Sequence, residues 1–169
     1  MLRKYKKAEE STLYSTNFNT AVMSGVNVND NGQVWTPFNS SITSLSLVGT
    51  TDRKIKVNCT NVNDSRVKTT LPLAGGYDYI LRFNLAEDSA DKRMFLNVFS
   101  RVGGVWTNTF YQGLFYFGTG NNMVNMQFPF GADSIRLEFQ RSGTTPLPAM
   151  MDLPPPSQLT ILVFPGLIR

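Results

Sequence analysis

The segment TLPLAGGYDYILRFNLAED, Thr70 to Asp88, combines a double glycine with a run in which every second residue is large and apolar. This alternation predicts a β-strand with one face in a core, because successive side chains of a strand point to opposite sides. A glycine-rich loop that cradles phosphate needs a helix after it, and helical spacing does not follow here. We therefore predict that Gly75 and Gly76 form a turn that leads into a core strand.

The same two-residue period recurs along the chain, between clusters of Gly, Asn and Asp. In SIRLEFQRS, residues 134–142, apolar side chains alternate with charged and amide ones, so one face is expected in the core and the other in water. KIKVNC (54–59) and RVKTTLPL (66–73) alternate likewise, and the turn formers TNVNDS between them predict a hairpin. Further strands are expected at 14–23, 34–38, 42–48, 94–102, 114–117, 124–130 and 158–164.

The composition also favours strands. The chain has 169 residues, enough for one core, and 12% of them are aromatic. Only 17% are charged, against roughly 25% in typical soluble domains. About eight to ten short strands with frequent turns predict a single antiparallel β-sandwich or barrel.

Histidine is absent and Cys59 is the only cysteine. These counts exclude intramolecular disulfides, Cys/His zinc sites and every histidine-based catalytic triad. Cys59 alternates with Val57 and is interpreted as a small core residue. No cofactor and no bound metal are expected.

The ends and one long connection stand apart from the strands. Residues 1–12 are interpreted as a charged arm and residues 13–169 as the sandwich, with a proline-rich loop at 142–158 and an apolar tail, PGLIR. The basic start is not followed by the apolar segment of a signal peptide, and there is no run of about 18 apolar residues. We therefore expect synthesis in the cytoplasm and no membrane association.

Leu73, Gly76, Tyr79, Leu81 and Phe83 form the pattern L-x-x-G-x-x-Y-x-L-x-F. This pattern resembles the signature strand of the jelly-roll carbohydrate-binding modules and their galactose-binding-like relatives. FPFGADSIRLEF and QLTILVF resemble the turn, core strand and closing strand of those modules, so the resemblance spans residues 70–164. It implies a jelly roll, and it carries no sugar-binding residue over to this chain.

Aromatic residues near turns are the first candidate site. The segment GGVWTNTFYQG contains Trp106, Phe110 and Tyr111, and NGQVWTPF contains Trp35. Rings on a rigid sheet bury a large area against a flat partner such as a sugar ring. The alternative is that these rings belong to the core.

Charged residues supply two further candidates. Glu87, Asp88 and Asp91 cluster before Lys92 and Arg93, which favours a solvated loop over a glycosidase pair or a Ca²⁺ site. Lys54, Lys56, Arg66 and Lys68 are expected on one face of the predicted hairpin, where like charges repel unless an acidic partner intervenes.

The four basic residues of the predicted hairpin and those of the arm are interpreted as a candidate docking surface. The alternative interpretation is that they form a solvated face without a partner. The arm contributes Arg3, Lys4, Lys6 and Lys7. The formal net charge is +4. Without the four basic and two acidic residues of the first ten it is only +2, too low to favour nucleic acid as a partner.

These observations favour a non-catalytic structural or binding protein. The first hypothesis is an accessory component of a virus or bacteriophage particle, such as a capsid decoration, fibre-base or tail protein, whose partners are other virion proteins or copies of itself. The alternative is a carbohydrate-binding module that recognises a glycan through exposed aromatic rings. A second alternative is a small coat protein that contacts RNA through the basic arm.

Overall fold

The computed structural model describes residues 11–38, 40, 43–50, 53–59, 66–85, 93–110, 116–117, 120–142 and 159–164. Every regular element within these ranges is a β-strand. The strands are β1 Ser11–Thr16, β2 Val22–Ser24, β3 Asn27–Asp30, β4 Gln33–Pro37, β5 Thr43–Val48, β6 Lys54–Cys59, β7 Arg66–Pro72, β8 Asp78–Leu85, β9 Arg93–Val102, β10 Val105–Phe110, β11 Tyr116–Phe117, β12 Gly120–Gln127, β13 Ala132–Ser142 and β14 Leu159–Phe164.

These strands form two main antiparallel sheets and a separate two-stranded ribbon. The large sheet has the order β10-β9-β13-β7-β4-β3-β2, with β11 also paired to β9. The small sheet has the order β1-β14-β8-β12, and β5 pairs with β6 alone. The predicted all-β, antiparallel sandwich is confirmed.

The inner faces of the two sheets meet in one core. On β8 the alternation seen in the sequence buries Tyr79, Leu81 and Phe83, and on β13 it buries residues 135, 137 and 139. The ring of Phe83, from the small sheet, lies 5.2 Å from the ring of Phe139, from the large sheet, in an edge-to-face arrangement. This contact joins the two layers.

The double glycine is a turn, as predicted, and it is packed against a second turn. The amide of Gly75 donates to the carbonyl of Ala132 at 2.8 Å, and the amide of Gly76 donates to the carbonyl of Phe128 at 3.3 Å. A Cβ on Gly75 would collide with the carbonyl oxygen of Pro129. Glycine is therefore required here by a close backbone approach.

The predicted hairpin between 54–59 and 66–73 is wrong. Strand β6 pairs with β5, whereas β7 lies between β13 and β4 in the large sheet. Turn formers between two strands indicate a change of chain direction, but they do not decide which neighbour each strand pairs with. The β5–β6 ribbon instead contacts β2, β3 and β4, and its buried Leu45, Ile55 and Val57 belong to the common core.

A buried carboxylate fixes the chain between β1 and β3. Asp30 accepts hydrogen bonds from the hydroxyls of Thr16, Thr20 and Tyr14, the last two at 3.0 and 3.4 Å. Burial raises the pKa of the Tyr14 hydroxyl above its ordinary range, and the Asp30 carboxylate adds to this rise. The hydroxyls take the place of water around a charge that would otherwise be costly to bury.

The remaining expectations for single segments are met in part. The predicted strands at 34–38, 42–48 and 94–102 correspond to β4, β5 and β9, and the expected strand at 14–23 is divided between β1 and β2. The strand predicted at 124–130 overlaps β12 only at 124–127, because residues 128–130 belong to the turn before β13. Strand β1 begins at Ser11, inside the predicted arm. Residues 1–10, most of the proline-rich loop and the PGLIR tail lie outside the described residues.

Candidate functional site

The structure separates the four aromatic residues predicted as ligand contacts. Trp35 lies on the inner face of β4 with 0% of its surface exposed, between the rings of Phe18 and Phe139. Its predicted role as an exposed ligand contact is therefore corrected to that of a core residue, because it lies on the face of β4 that packs against Phe18 and Phe139. Trp106 lies half-buried on β10. Phe110 ends β10, and its side chain and Tyr111 lie outside the described residues.

The predicted basic surface is also divided. Arg66 and Lys68 lie on the outer face of β7 in the large sheet, whereas Lys54 and Lys56 lie on β6 in the ribbon. The expected common face of all four does not exist, since β6 and β7 are not paired. The basic residues of the arm, Arg3 to Lys7, are outside the described residues.

Strand register places Trp106 and the basic residues of β7 on the same outer face. Trp106 is the partner of Arg101, Arg136 is the partner of both Phe99 and Thr70, and Glu138 is the partner of both Asn97 and Lys68. Residues opposite each other in a sheet point to the same side. One surface therefore collects side chains from four strands, β10, β9, β13 and β7.

We name this surface the aromatic-cationic strip. It consists of Trp106, Phe99, Arg136, Glu138, Arg66, Lys68 and Phe38. Trp106 and Phe38 lie at its two ends, four interstrand spacings apart across the sheet, about 19 Å at about 4.8 Å per spacing. Trp106 is level with Pro72 and Phe38 with Arg66, so the strip also runs about 20 Å along the strands, at about 3.4 Å per residue.

At one end, the guanidinium of Arg136 lies between two rings. Its central carbon is 4.2 Å from the centre of the Phe99 ring and 5.1 Å from the centre of the Trp106 ring. Arg101 approaches the Trp106 ring to 5.6 Å. Cation–π contacts of this kind hold the indole in a defined position on a rigid strand.

In the middle of the strip is a buried carboxylate, Glu138, with 1% of its side chain exposed. Arg136 Nε lies 2.8 Å from its Oε1 and Arg66 Nη1 lies 3.5 Å from its Oε2. Neither carboxylate oxygen is aligned for a hydrogen bond with a described residue. Glu138 is thus held by the charges of two arginines whose side chains are 25% exposed.

At the other end, Phe38 follows β4 and has 42% of its surface exposed. Its amide donates to the carbonyl of Arg66 at 2.9 Å. The Arg66 guanidinium lies 4.5 Å and the Lys68 ammonium 5.5 Å from the centre of its ring. Both ends of the strip therefore combine an accessible ring with basic side chains.

Polar groups flank the strip. Asn108, on β10 beside Trp106, has a buried side-chain oxygen without a hydrogen-bond partner among the described residues. Arg101 Nε lies 2.7 Å from Asp133 Oδ1, and this hydrogen bond lowers the pKa of the Asp133 carboxyl. Since Arg101 and Asp133 neutralise each other, the strip's net charge comes from its three basic residues and Glu138.

No group of acidic, cysteine or histidine side chains in the described part of the chain could hold a metal ion. Asp133 and Glu138 of β13 are five residues apart, about 17 Å at about 3.4 Å per residue, and a glycosidase pair needs roughly 5–10 Å. The predicted carboxylate cluster Glu87, Asp88 and Asp91 lies outside the described residues. In that same part of the chain, no helix is long and apolar enough to cross a membrane.

Sequence reasoning missed Phe38, Phe99, Arg101, Arg136 and Glu138 as site residues. The alternation in SIRLEFQRS assigns Arg136 and Glu138 to the outer face, and this was the available signal. What surrounds them is decided by β9 and β7, which come from segments that are remote in sequence.

Comparison with solved structures shows the β-sandwich fold of carbohydrate-binding modules. The chain is similar to the CBM22-1 xylan-binding domain of Xyn10C from Paenibacillus barcinonensis, with 12% identity and a TM-score of 0.50, covering 97% of this chain and 100% of that one. It is also similar to a CBM4 carbohydrate-binding module, with 14% identity and a TM-score of 0.40, covering 88% of this chain and 76% of that one. No protein-family model and no curated protein matches the sequence.

Proposed function

We propose that this chain is a non-catalytic carbohydrate-binding domain that holds a glycan on the aromatic-cationic strip. The observation that carries the proposal is Trp106, a half-buried indole fixed on the outer face of a sheet by two arginines. A ring held in this way stacks on a sugar ring with little loss of side-chain entropy.

The polar surroundings of Trp106 suit a sugar. Glycans present many hydroxyl groups, and binding sites recognise them through a few placed donors and acceptors. Arg101 and Arg136 are such donors beside the ring. The fold shared with carbohydrate-binding modules supports this proposal without identifying the ligand.

The virus-particle hypothesis remains a prediction, and the similarity to a xylan-binding domain gives it no support. The RNA-coat alternative depends on the arm at residues 1–7, which lies outside the described residues. The glycan hypothesis is therefore the one that the outer face and the fold favour together.

Intrinsic fluorescence tests the proposal directly. The chain has two tryptophans, and Trp35 is fully buried, so a ligand-induced change reports on Trp106. Soluble polysaccharides of different composition, neutral and acidic, are titrated into the protein. At least one is expected to shift the emission and to retard the protein in affinity electrophoresis.

Trp106→Ala is expected to weaken that binding about 30-fold, as expected for truncation of an aromatic anchor worth about 2 kcal/mol. Phe130→Ala is the matched control, because Phe130 is 84% exposed in the β12–β13 turn and lies off the strip. The proposal fails if no polysaccharide binds, or if Phe130→Ala abolishes binding while Trp106→Ala leaves it intact.

A further inference from the structure

The aromatic-cationic strip carries more positive charge than its own residues neutralise. Arg66, Lys68 and Arg136 surround one carboxylate, Glu138, which leaves a surplus of two positive charges. Among the described residues, Lys68 has no carboxylate within ion-pair distance. A neutral glycan would leave this surplus unmatched, since hydroxyl groups carry no charge.

The geometry of the cations restricts the ligand further. Glu138 is buried beneath the arginines and already occupied by them, so it repels an incoming anion less than an exposed carboxylate would. Arginine presents a planar set of donors that matches a carboxylate in a two-point contact. The Arg66 guanidinium and the Lys68 ammonium lie beside the exposed ring of Phe38, so a cation and a stacking surface occur together.

Resting on the proposed function, we infer that the ligand is an acidic polysaccharide built from hexuronic acids. Its sugar rings stack on Trp106 and Phe38, and its carboxylates lie over Lys68 and the guanidiniums of Arg66 and Arg136. A repeating polymer suits the strip, because the strip has rings at both ends and cations between them, while each sugar of such a polymer carries a ring and a carboxylate.

Polygalacturonate and its methyl ester form a matched pair of probes. Esterification removes the negative charge and keeps the sugar backbone, so the difference in affinity measures the carboxylate alone. We expect polygalacturonate to bind at least tenfold more tightly at low salt, as charge-assisted hydrogen bonds predict. We expect this preference to shrink as sodium chloride is raised, because exposed charges are screened.

Substitutions test whether the preference for polygalacturonate over its methyl ester comes from the strip. Lys68→Gln is expected to weaken polygalacturonate binding about fivefold, typical of one partly exposed ion pair, while Lys68→Arg retains it. Arg82→Gln makes the same change in net charge on the exposed outer face of β8, in the small sheet, and is expected to leave binding unchanged. Thermal unfolding of each variant verifies that the fold is intact.

The outcomes separate this inference from the proposed function. Equal affinity for the acid and the ester overturns the inference and leaves glycan binding standing, whereas binding to no glycan overturns both. Equal losses in Lys68→Gln and Arg82→Gln overturn the assignment to the strip. Dextran sulfate or single-stranded DNA bound as tightly as polygalacturonate overturns the preference for hexuronic acids.

Discussion

Gly75 lets two turns pack against each other at one end of the sandwich. Its amide donates to Ala132, and its missing side chain lets the carbonyl of Pro129 approach the backbone. The β7–β8 turn and the β12–β13 turn are thereby held together. The glycine is needed for this contact, and no ligand is required to explain it.

Gly75→Ala is expected to lower the free energy of unfolding by about 2 kcal/mol, because the added methyl group collides with backbone that cannot easily move. Gly25→Ala is the control, since Gly25 has a positive φ of 59° but open space around it. That variant should cost about 1 kcal/mol, from backbone strain alone. Urea unfolding measures both, and a smaller loss at Gly75 than at Gly25 would contradict the packing argument.

Strand β13 contributes side chains to both the core and the aromatic-cationic strip. Its inner face buries Ile135, Leu137 and Phe139, and its outer face presents Arg136 and Glu138 to neighbours on β9 and β7. Because Glu138 is buried between two arginines, the stability of the outer face depends on the charge of this one carboxylate. This sensitivity distinguishes Glu138 from Asp133, which pairs with Arg101 at the exposed end of the same strand.

Glu138→Gln is expected to destabilise the fold by about 1–3 kcal/mol, because two arginines lose their counterion while remaining three-quarters buried. Asp133→Asn makes the same chemical change where both side chains are well exposed, and little or no effect is expected. Denaturant unfolding at neutral pH compares the two variants. Equal effects would mean that burial of the Glu138 carboxylate is not what stabilises the strip.

At the scale of the whole molecule, the two sheets and the ribbon share one core. Phe83 of the small sheet packs on Phe139 of the large sheet, and Trp35 packs on Phe139 and Phe18. Buried residues of the ribbon belong to the same cluster. A single core of this kind is expected to unfold in one cooperative transition.

Phe83→Ala is expected to lower the free energy of unfolding by about 3–5 kcal/mol, because it opens a cavity between the layers. Far-UV and near-UV circular dichroism should still give coincident transitions. Met123→Ala, on the 58% exposed outer side of the same sheet, should change stability by less than about 0.5 kcal/mol. Separate transitions for the two probes would show that the layers unfold independently.

The sequence by itself determined which side chains of a strand share a face and where a turn must contain glycine. The alternation correctly indicated the inner face of β8 over residues 79–83 and of β13 over residues 135–139, because a strand's two-residue period is a local property. It was wrong for Tyr77, which is exposed, and for Glu138, which was expected in water and is buried. The same period describes Trp35 on β4, but it does not say which face of that strand is covered. Only the tertiary structure decided that Trp35 is buried and Trp106 is not.

Strand pairing was likewise decided by tertiary structure. Arg66 and Lys68 lie beside Glu138 and Arg136 because β7 pairs with β13 across about seventy residues of chain, and not with its sequence neighbour β6. Such pairings depend on how whole faces of the sheets pack. The entropic cost of closing a loop rises only slowly with its length, so a strand that is remote in sequence can compete with an adjacent one as a pairing partner. The residues of the strip are therefore visible in the sequence, while the surface that they form exists only in the folded sheet.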